Sequence, residues 1–262
     1  MKEYKLYKGA WIFAGNPNEE KRLSKSECQN ILRGGIFIRN VYDFDTNYET
    51  SFWYVIKDSF GGMEELSSKM RNQVKKCFKT MRVERVPAEF LIAYGYDVYV
   101  AATDNYRIRA SAPTKEEFET RIKYGTENEY WGAIDNETGK LVAFSMNAVI
   151  NEACEYRTMK AFPKYQKLYA YYGLIYEMNR YYLEERNVKY VNDGARSITN
   201  HSNIQPFLID KFRFRKAYCN MTIYYKSWLR ILVSILYPFR RLIPIHQVKS
   251  LLYMEAMARG EA

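Results

Sequence analysis

The tract from Glu129 to Tyr225 constrains the fold most, because its hydrophobic period changes in a fixed order. Tyr130 to Ile134 and Leu141 to Val149 read as strands joined by the turn Asn136 to Gly139, and Cys154 to Met159 reads as a third strand. Leu168, Tyr171, Tyr172, Ile175, Met178 and Tyr182 then share one face of a helix over Gln166 to Arg186. Val188 to Asn192 is a short strand that ends at Asp193 and Gly194, and Pro206 to Phe212 is a short helix. In the last strand, Arg215 to Tyr225, the residues Ala217, Cys219, Met221 and Ile223 alternate with polar or aromatic neighbours. This order predicts an α/β (α+β) fold, a mixed, mostly antiparallel central sheet flanked by helices. It excludes a doubly wound nucleotide-binding fold and an all-β sandwich.

Upstream, Trp11 to Ala14, Ile36 to Ile38 and Phe52 to Ile56 are strand-like runs broken by Gly, Asn and Pro. After Gly61 and Gly62 the apolar residues Met70, Val74, Cys77, Phe78 and Met81 keep helical spacing. Thr114 with Glu117 forms a capping box ahead of the pair Phe118 and Ile122, and Gly125 is the stop. Three segments follow: a strand-rich one over 1–63, a core over 64–227 and a basic amphipathic tail over 228–262.

The placement of charge narrows the partners. The formal charge of +10 is concentrated: Ser67 to Arg85 holds seven bases and one acid, and Lys226 to Ala262 six bases and two acids. A helix and a tail carrying the field favour a local anionic ligand or an anionic membrane surface over a broad nucleic-acid face. Cys28, Cys77, Cys154 and Cys219 form no C-x-x-C pair, and the chain starts on Met1, Lys2 and Glu3 with no signal-peptide pattern. Reduced thiols and a cytoplasmic location are expected. With His201 and His246 the only histidines, no metal site is expected. A G-x-S-x-G elbow and a Walker loop are both missing, against a serine hydrolase and a P-loop NTPase.

The element order resembles the acyl-CoA N-acyltransferase (GNAT) fold, built from a meander, a cofactor helix and a splayed strand pair. Arg213, just before Phe214, stands where the closing element of that superfamily usually has glycine. Three passages are similar to its Fem-type and polysaccharide-cluster branch. They are the basic run Leu66 to Lys76, the helix Tyr169 to Tyr182 followed by Lys189 to Gly194, and Asp193 to Ser197 with Asn203 and Phe207. The resemblance covers about residues 64 to 225. It implies transfer of an acyl group, from acetyl-CoA or another acyl-CoA, to an amine of a sugar or cell-surface polymer precursor. The acceptor would be a small molecule or lipid-linked, which would place the enzyme at the inner membrane face. Two alternatives stay open: a Fem-type transferase taking aminoacyl-tRNA, and a GNAT-like scaffold without catalysis.

Candidate residues come from the resemblance and from side chains whose chemistry suits acyl transfer. Gln166, Lys167, Tyr169, Ala170 and Tyr171 occupy the place of the superfamily's phosphate loop, Q/R-x-x-G-x-G/A, but no glycine occurs there before Gly173. Backbone donors near Asn147 and Tyr190 to Asp193 would face a thioester. Asp193, at a strand end, is a proton acceptor, a binder of a cationic acceptor, or a turn or cap residue, and Glu155 is a base acting through water or an outward strand carboxylate. Tyr172 is a proton donor to a leaving thiolate or a core aromatic. His201 is a loop residue able to titrate near neutrality. Lys69, Arg71, Lys75, Arg196 and Asn203 are candidates for binding an anion or substrate, Arg196 equally for a structural ion pair. In the tail, Trp228 to Phe239 is apolar with Arg230, Arg240 and Arg241 around it. Twelve residues are too few to span a bilayer, which needs about 20. They suit an interfacial helix on an anionic membrane, or a helix packed on the domain or on a second subunit.

Overall fold

In the computed structural model the described residues are 3–7, 9–104, 112–125, 127–197 and 203–262. The chain begins with β1 (Tyr4–Tyr7), β2 (Ala10–Phe13), α1 (Lys25–Leu32), β3 (Phe37–Tyr42) and β4 (Phe52–Lys57). Next come α2 (Ser68–Thr80), β5 (Met81–Val86), α3 (Ala88–Asp104), α4 (Lys115–Lys123), β6 (Asn128–Asp135), β7 (Leu141–Ile150) and β8 (Ala153–Ala161). Then follow α5 (Pro163–Gln166), α6 (Ala170–Asn179) with a π-helical turn over Arg180–Glu185, and β9 (Tyr190–Ala195). The chain closes with α7 (Ile204–Phe212), β10 (Arg215–Tyr225), α8 (Ser227–Leu236) and α9 (His246–Ala258). Two compact units form, both discontinuous in sequence: one from residues 1–55, 195–201 and 216–262, the other from 56–194 and 202–215. The mixed, mostly antiparallel sheet architecture flanked by helices is as the sequence predicts.

In the first unit β1 and β2 pair antiparallel, β2 runs parallel to β3, and β3 pairs antiparallel with β10. Side chains alternate between the faces of this sheet. Phe37 joins Ala10, Leu229, Val233, Tyr237, Leu252 and Ala256 in a core under α8 and α9, whereas Ile38 packs with Cys28 and Ile31 of α1. The tail therefore packs on its own unit through one face of α8.

In the second unit β5, β6, β7 and β8 form an antiparallel meander, and β9 adds to β8 in parallel. The even positions Phe144 and Met146 of β7 pack with Leu91 and Val98 of α3 and Phe118 and Ile122 of α4. The odd positions Ser145 and Asn147 face the opposite way, where Asn147 meets Met178 and Tyr182. Leu174, Ile175 and Met178 of α6 are fully buried, each stabilising the unit by about 1.5–3 kcal/mol. The polar layer beneath α6 is hydrogen-bonded: Tyr182 donates to Glu129 (3.0 Å) and accepts from Trp131 Nε1 (3.0 Å), and Arg186 closes an ion pair on Glu129. Helix α2 lies against α6 so closely that a Cβ on Gly173 would sit 2.3 Å from Cys77 Sγ.

Three local expectations change. The basic helix stops at Thr80, and Met81 opens a strand, because Met81-Arg82-Val83-Glu84 alternates apolar and polar and pairs along β6. Arg82 and Arg85 consequently lie on β5 and not on the helix. The helix expected from Gln166 begins at Ala170, since Tyr169 takes a left-handed conformation (φ 67°) that interrupts it. Finally, α1 and α3 arise where no helix is expected. Ser24 accepts from Glu27 N to cap α1, a capping-box signal present in the sequence.

Candidate active site

The site grows from a short strand ladder. β8 and β9 pair in parallel only at Ala153↔Tyr190, Cys154↔Val191 and Glu155↔Asn192. Both strands continue past that point, β8 to Ala161 and β9 to Ala195, but no further residues of the two pair with each other. Two local features accompany the parting. On β8 the register to β7 shifts so that Tyr156 faces Asn147 and Thr158 faces Met146, leaving Arg157 as an extra, bulged residue. On β9 Gly194 takes φ +85°, a conformation that only glycine adopts without strain, and its N–H bonds the Asn192 side chain (3.0 Å). The β8 amides beyond Glu155 are thus released from pairing with β9.

Titratable groups gather at this parting. Asp193 follows the last β9 pair, Glu155 is the last on β8, and Gln205 of α7 hydrogen-bonds the Asp193 carboxyl. Burial first, then repulsion from Glu155, pushes Asp193 up to about 7, and the Gln205 bond only partly offsets them. Glu155 is itself held by Arg157 Nε at 2.8 Å. A carboxyl poised near neutrality can accept a proton from an ammonium or amine and release it to water. Tyr172, in the first turn of α6, stacks edge-on with Tyr169, Phe207 and Phe212, and among the described residues its hydroxyl makes no hydrogen bond. Burial followed by the nearby Tyr169 raises its pKa, which keeps it a proton donor. Both Gln205 and Phe207 belong to α7, so that helix links the Asp193 carboxyl to the Tyr172 ring.

A second feature adjoins α6. A pocket of about 450 Å³ is lined by Ser68, Lys69, Asn72, Gln73 and Lys76 of α2 and by Tyr169. Tyr169 occupies the first glycine position of the phosphate loop described above, and its left-handed φ is the conformation a glycine would take there. Gln166 turns its amide onto the Ala161 carbonyl (3.1 Å), Lys167 is exposed and Ala170 is buried. The Tyr169 side chain does not cap α6, and the first amides of a helix have no partner within it. Lysines and an open amide at a helix start suit phosphate oxygens.

No protein-family model matches the sequence, and no curated protein matches it. Among solved structures, FemX superposes with a TM-score of 0.55 at 8% identity, over 86% of this chain and 73% of FemX. The C-terminal domain of a putative lysylphosphatidylglycerol synthetase from Agrobacterium fabrum superposes with a TM-score of 0.54 at 11% identity, over 89% of this chain and 84% of that one. The chain has a GNAT-like fold, shared with these two structures.

The remaining candidates fall in several places. Asp193, Glu155 and Tyr172 lie in the second unit around the parting strands and α6. Lys69 and Tyr169 line one pocket, whereas Lys75 is exposed and is not among its lining residues. Arg71 donates to the Leu66 carbonyl (2.7 Å). Asn203 is exposed and precedes α7 without a side-chain cap. Arg196 is engaged within the first unit, donating to Ser51 O (2.5 Å) and Tyr253 OH (2.9 Å) beside Trp53. His201 lies outside the described residues. Sequence reasoning passed over Gln205, a polar residue without a motif, and Arg157, whose bulge depends on register. Lys76 was within the basic run, and its phase beside Lys69 and Asn72 on α2 was the signal for the pocket. All four cysteines are buried and free, and burial pushes Cys77 up to about 12, so it is no nucleophile. Among the described residues no three His, Cys, Asp or Glu side chains gather as a metal site, and no helix is long and apolar enough to cross a membrane.

Proposed function

We propose that the second unit is an acyltransferase centre that moves an acyl group onto an amine, with an acyl-CoA as donor. The observation that carries this reading is the parting of β8 from β9 at Glu155 and Asn192, with the Asp193 carboxyl raised to about 7 beside it. An acyl-CoA would supply a thioester carbonyl. Lys69 and Lys76, with the start of α6, would hold its phosphates in the pocket beside Tyr169. Released β8 amides would donate to the carbonyl oxygen as negative charge develops there. Asp193 would take the proton from the attacking amine, so that a C–N bond forms as the C–S bond breaks, and the departing sulfur would draw a proton from Tyr172 or water. The acceptor is read as an amine on a sugar or a cell-surface polymer precursor.

A second reading, transfer from aminoacyl-tRNA, is favoured by the loss of both loop glycines at Tyr169 and Tyr171 and by the likeness to FemX. Isotope-labelled acetyl-CoA and aminoacyl-tRNA, each offered with a panel of amino sugars, test the two. Label transfer from acetyl-CoA that falls at least tenfold in Lys69→Glu supports the first. Transfer from aminoacyl-tRNA alone supports the second. If neither donor binds or gives up its label, the transferase reading is overturned.

A further inference from the structure

The first unit holds a larger groove that the acyl-transfer reading does not use. It measures about 1160 Å³, and six bases line it: Arg259 after α9, and a set of five made of Arg22, Lys25 and Arg33 from around α1 with Lys226 and Arg230 from the start of α8. None of the five has a carboxylate partner among the described residues. The one acid of the lining, Glu255, is already satisfied by Arg259 Nε (2.8 Å) and the Tyr225 hydroxyl (2.7 Å). Arg22 bonds the Tyr224 hydroxyl and lies over the Tyr42 ring, but five cations with no carboxylate among them repel one another unless an anion enters, so the groove suits phosphate-rich ligands.

Helix α8 says which kind. Its ten residues divide into three faces at helical spacing. Leu229 and Val233 are buried in the core of the unit. Arg230 and Ser234, one position further round, line the basic groove. Trp228, Ile231, Leu232 and Ile235 form the third face and are 56%, 62%, 43% and 60% exposed. A face of four large apolar side chains beside a basic groove has the two halves of a phospholipid surface as its complement: anionic headgroups for the bases and acyl chains for the ring and aliphatic groups.

We infer that the α1–α8 groove and the outer face of α8 form one seat for an anionic membrane. Lipid phosphate lies among Arg22, Lys25, Arg33, Lys226 and Arg230, and Trp228, Ile231, Leu232 and Ile235 enter the acyl-chain boundary. The inference stands apart from the acyl-transfer reading, since binding is measured without turnover.

The test is sedimentation of the full chain with vesicles of phosphatidylcholine alone or mixed with phosphatidylglycerol, read alongside the Trp228 emission. The protein is expected to pellet with the anionic vesicles only, with a blue-shifted emission that is lost in Trp228→Phe. Added salt weakens the binding. Ile231→Ser with Ile235→Ser alters exposed positions and leaves the core intact, and should lower the vesicle partition on the order of a hundredfold. Arg33→Glu with Arg230→Glu should lower it by at least tenfold. Equal pelleting with neutral vesicles, or partition unchanged in either double variant, would overturn the inference. So would a rise in melting temperature with pyrophosphate or tRNA and no vesicle binding, which would assign the groove to a soluble phosphate or an RNA. Dimerisation abolished by the Ile231 and Ile235 changes, with no vesicle binding, would assign the face to a second copy instead.

Discussion

Replacing Asp193 by asparagine separates what this carboxyl costs the fold from what it does. Burial and the neighbouring Glu155 move its pKa from 3.8 to about 7. The folded chain then holds this proton more tightly than the unfolded chain, so proton binding favours folding. That contribution is whole below about pH 4 and is gone once the pH has risen through about 7. Three pKa units correspond to about 4 kcal/mol, and relaxation of the site with water entry brings the observable figure to about 2–4 kcal/mol. Asparagine is neutral throughout and can still accept from Gln205. In urea denaturation the wild type and Asp193→Asn should therefore match near pH 4, while at pH 8 the variant is the more stable by that amount. Acyl transfer by the variant should fall by about a hundredfold or more, and in the wild type the rate should rise with pH through about 7. A stability difference that stays constant between pH 4 and pH 8 would refute the argument that a buried, repelled carboxylate sits at this strand end.

Three further substitutions probe the frame that positions the site. Gly173→Ala brings a Cβ to 2.3 Å from Cys77 Sγ, and should destabilise the second unit by about 1–3 kcal/mol. Adding Cys77→Ala should restore most of it in the same denaturation assay. Arg213 ends α7 in a left-handed conformation (φ 60°), so Arg213→Gly should raise stability by about 0.5–1 kcal/mol once the lost bond to the Glu65 carbonyl is counted. Tyr182→Phe removes the acceptor of Trp131 Nε1 and the donor to Glu129, and should cost about 1–3 kcal/mol, seen as a lower midpoint with an unchanged denaturant slope.

The meander and β10 were legible because alternation and helical spacing report directly which face of an element is buried. Arg215 to Tyr225 coincides with β10, and β7 extends the expected strand by one residue. Tyr169 and Arg213 stand where the superfamily that the element order resembles usually has glycine, so both passages depart from its pattern. The backbone adopts the left-handed conformation at both positions all the same. A residue pattern records which side chains make a conformation cheap, and the surrounding packing can impose that conformation on others at about 1 kcal/mol each. Helix α3 escaped notice for the opposite reason: Ala88 to Asp104 is apolar or aromatic on most sides, so no period stands out. The pairing of Asp193 with Gln205 and the bulge at Arg157 depend on tertiary register, which no local pattern encodes. The same holds for the basic groove of the first unit, whose bases come from positions some two hundred residues apart in the chain.

Amide hydrogen exchange along β8 and β9, followed with and without a bound acyl donor, tests the central claim most directly. If a thioester enters where the two strands part, acetyl-CoA or aminoacyl-tRNA should slow exchange at Tyr156 to Thr158 and at Asp193 to Ala195, and leave β1 to β3 unchanged. Donor binding that protects other segments and leaves both of these stretches exchanging at their free rates would contradict it.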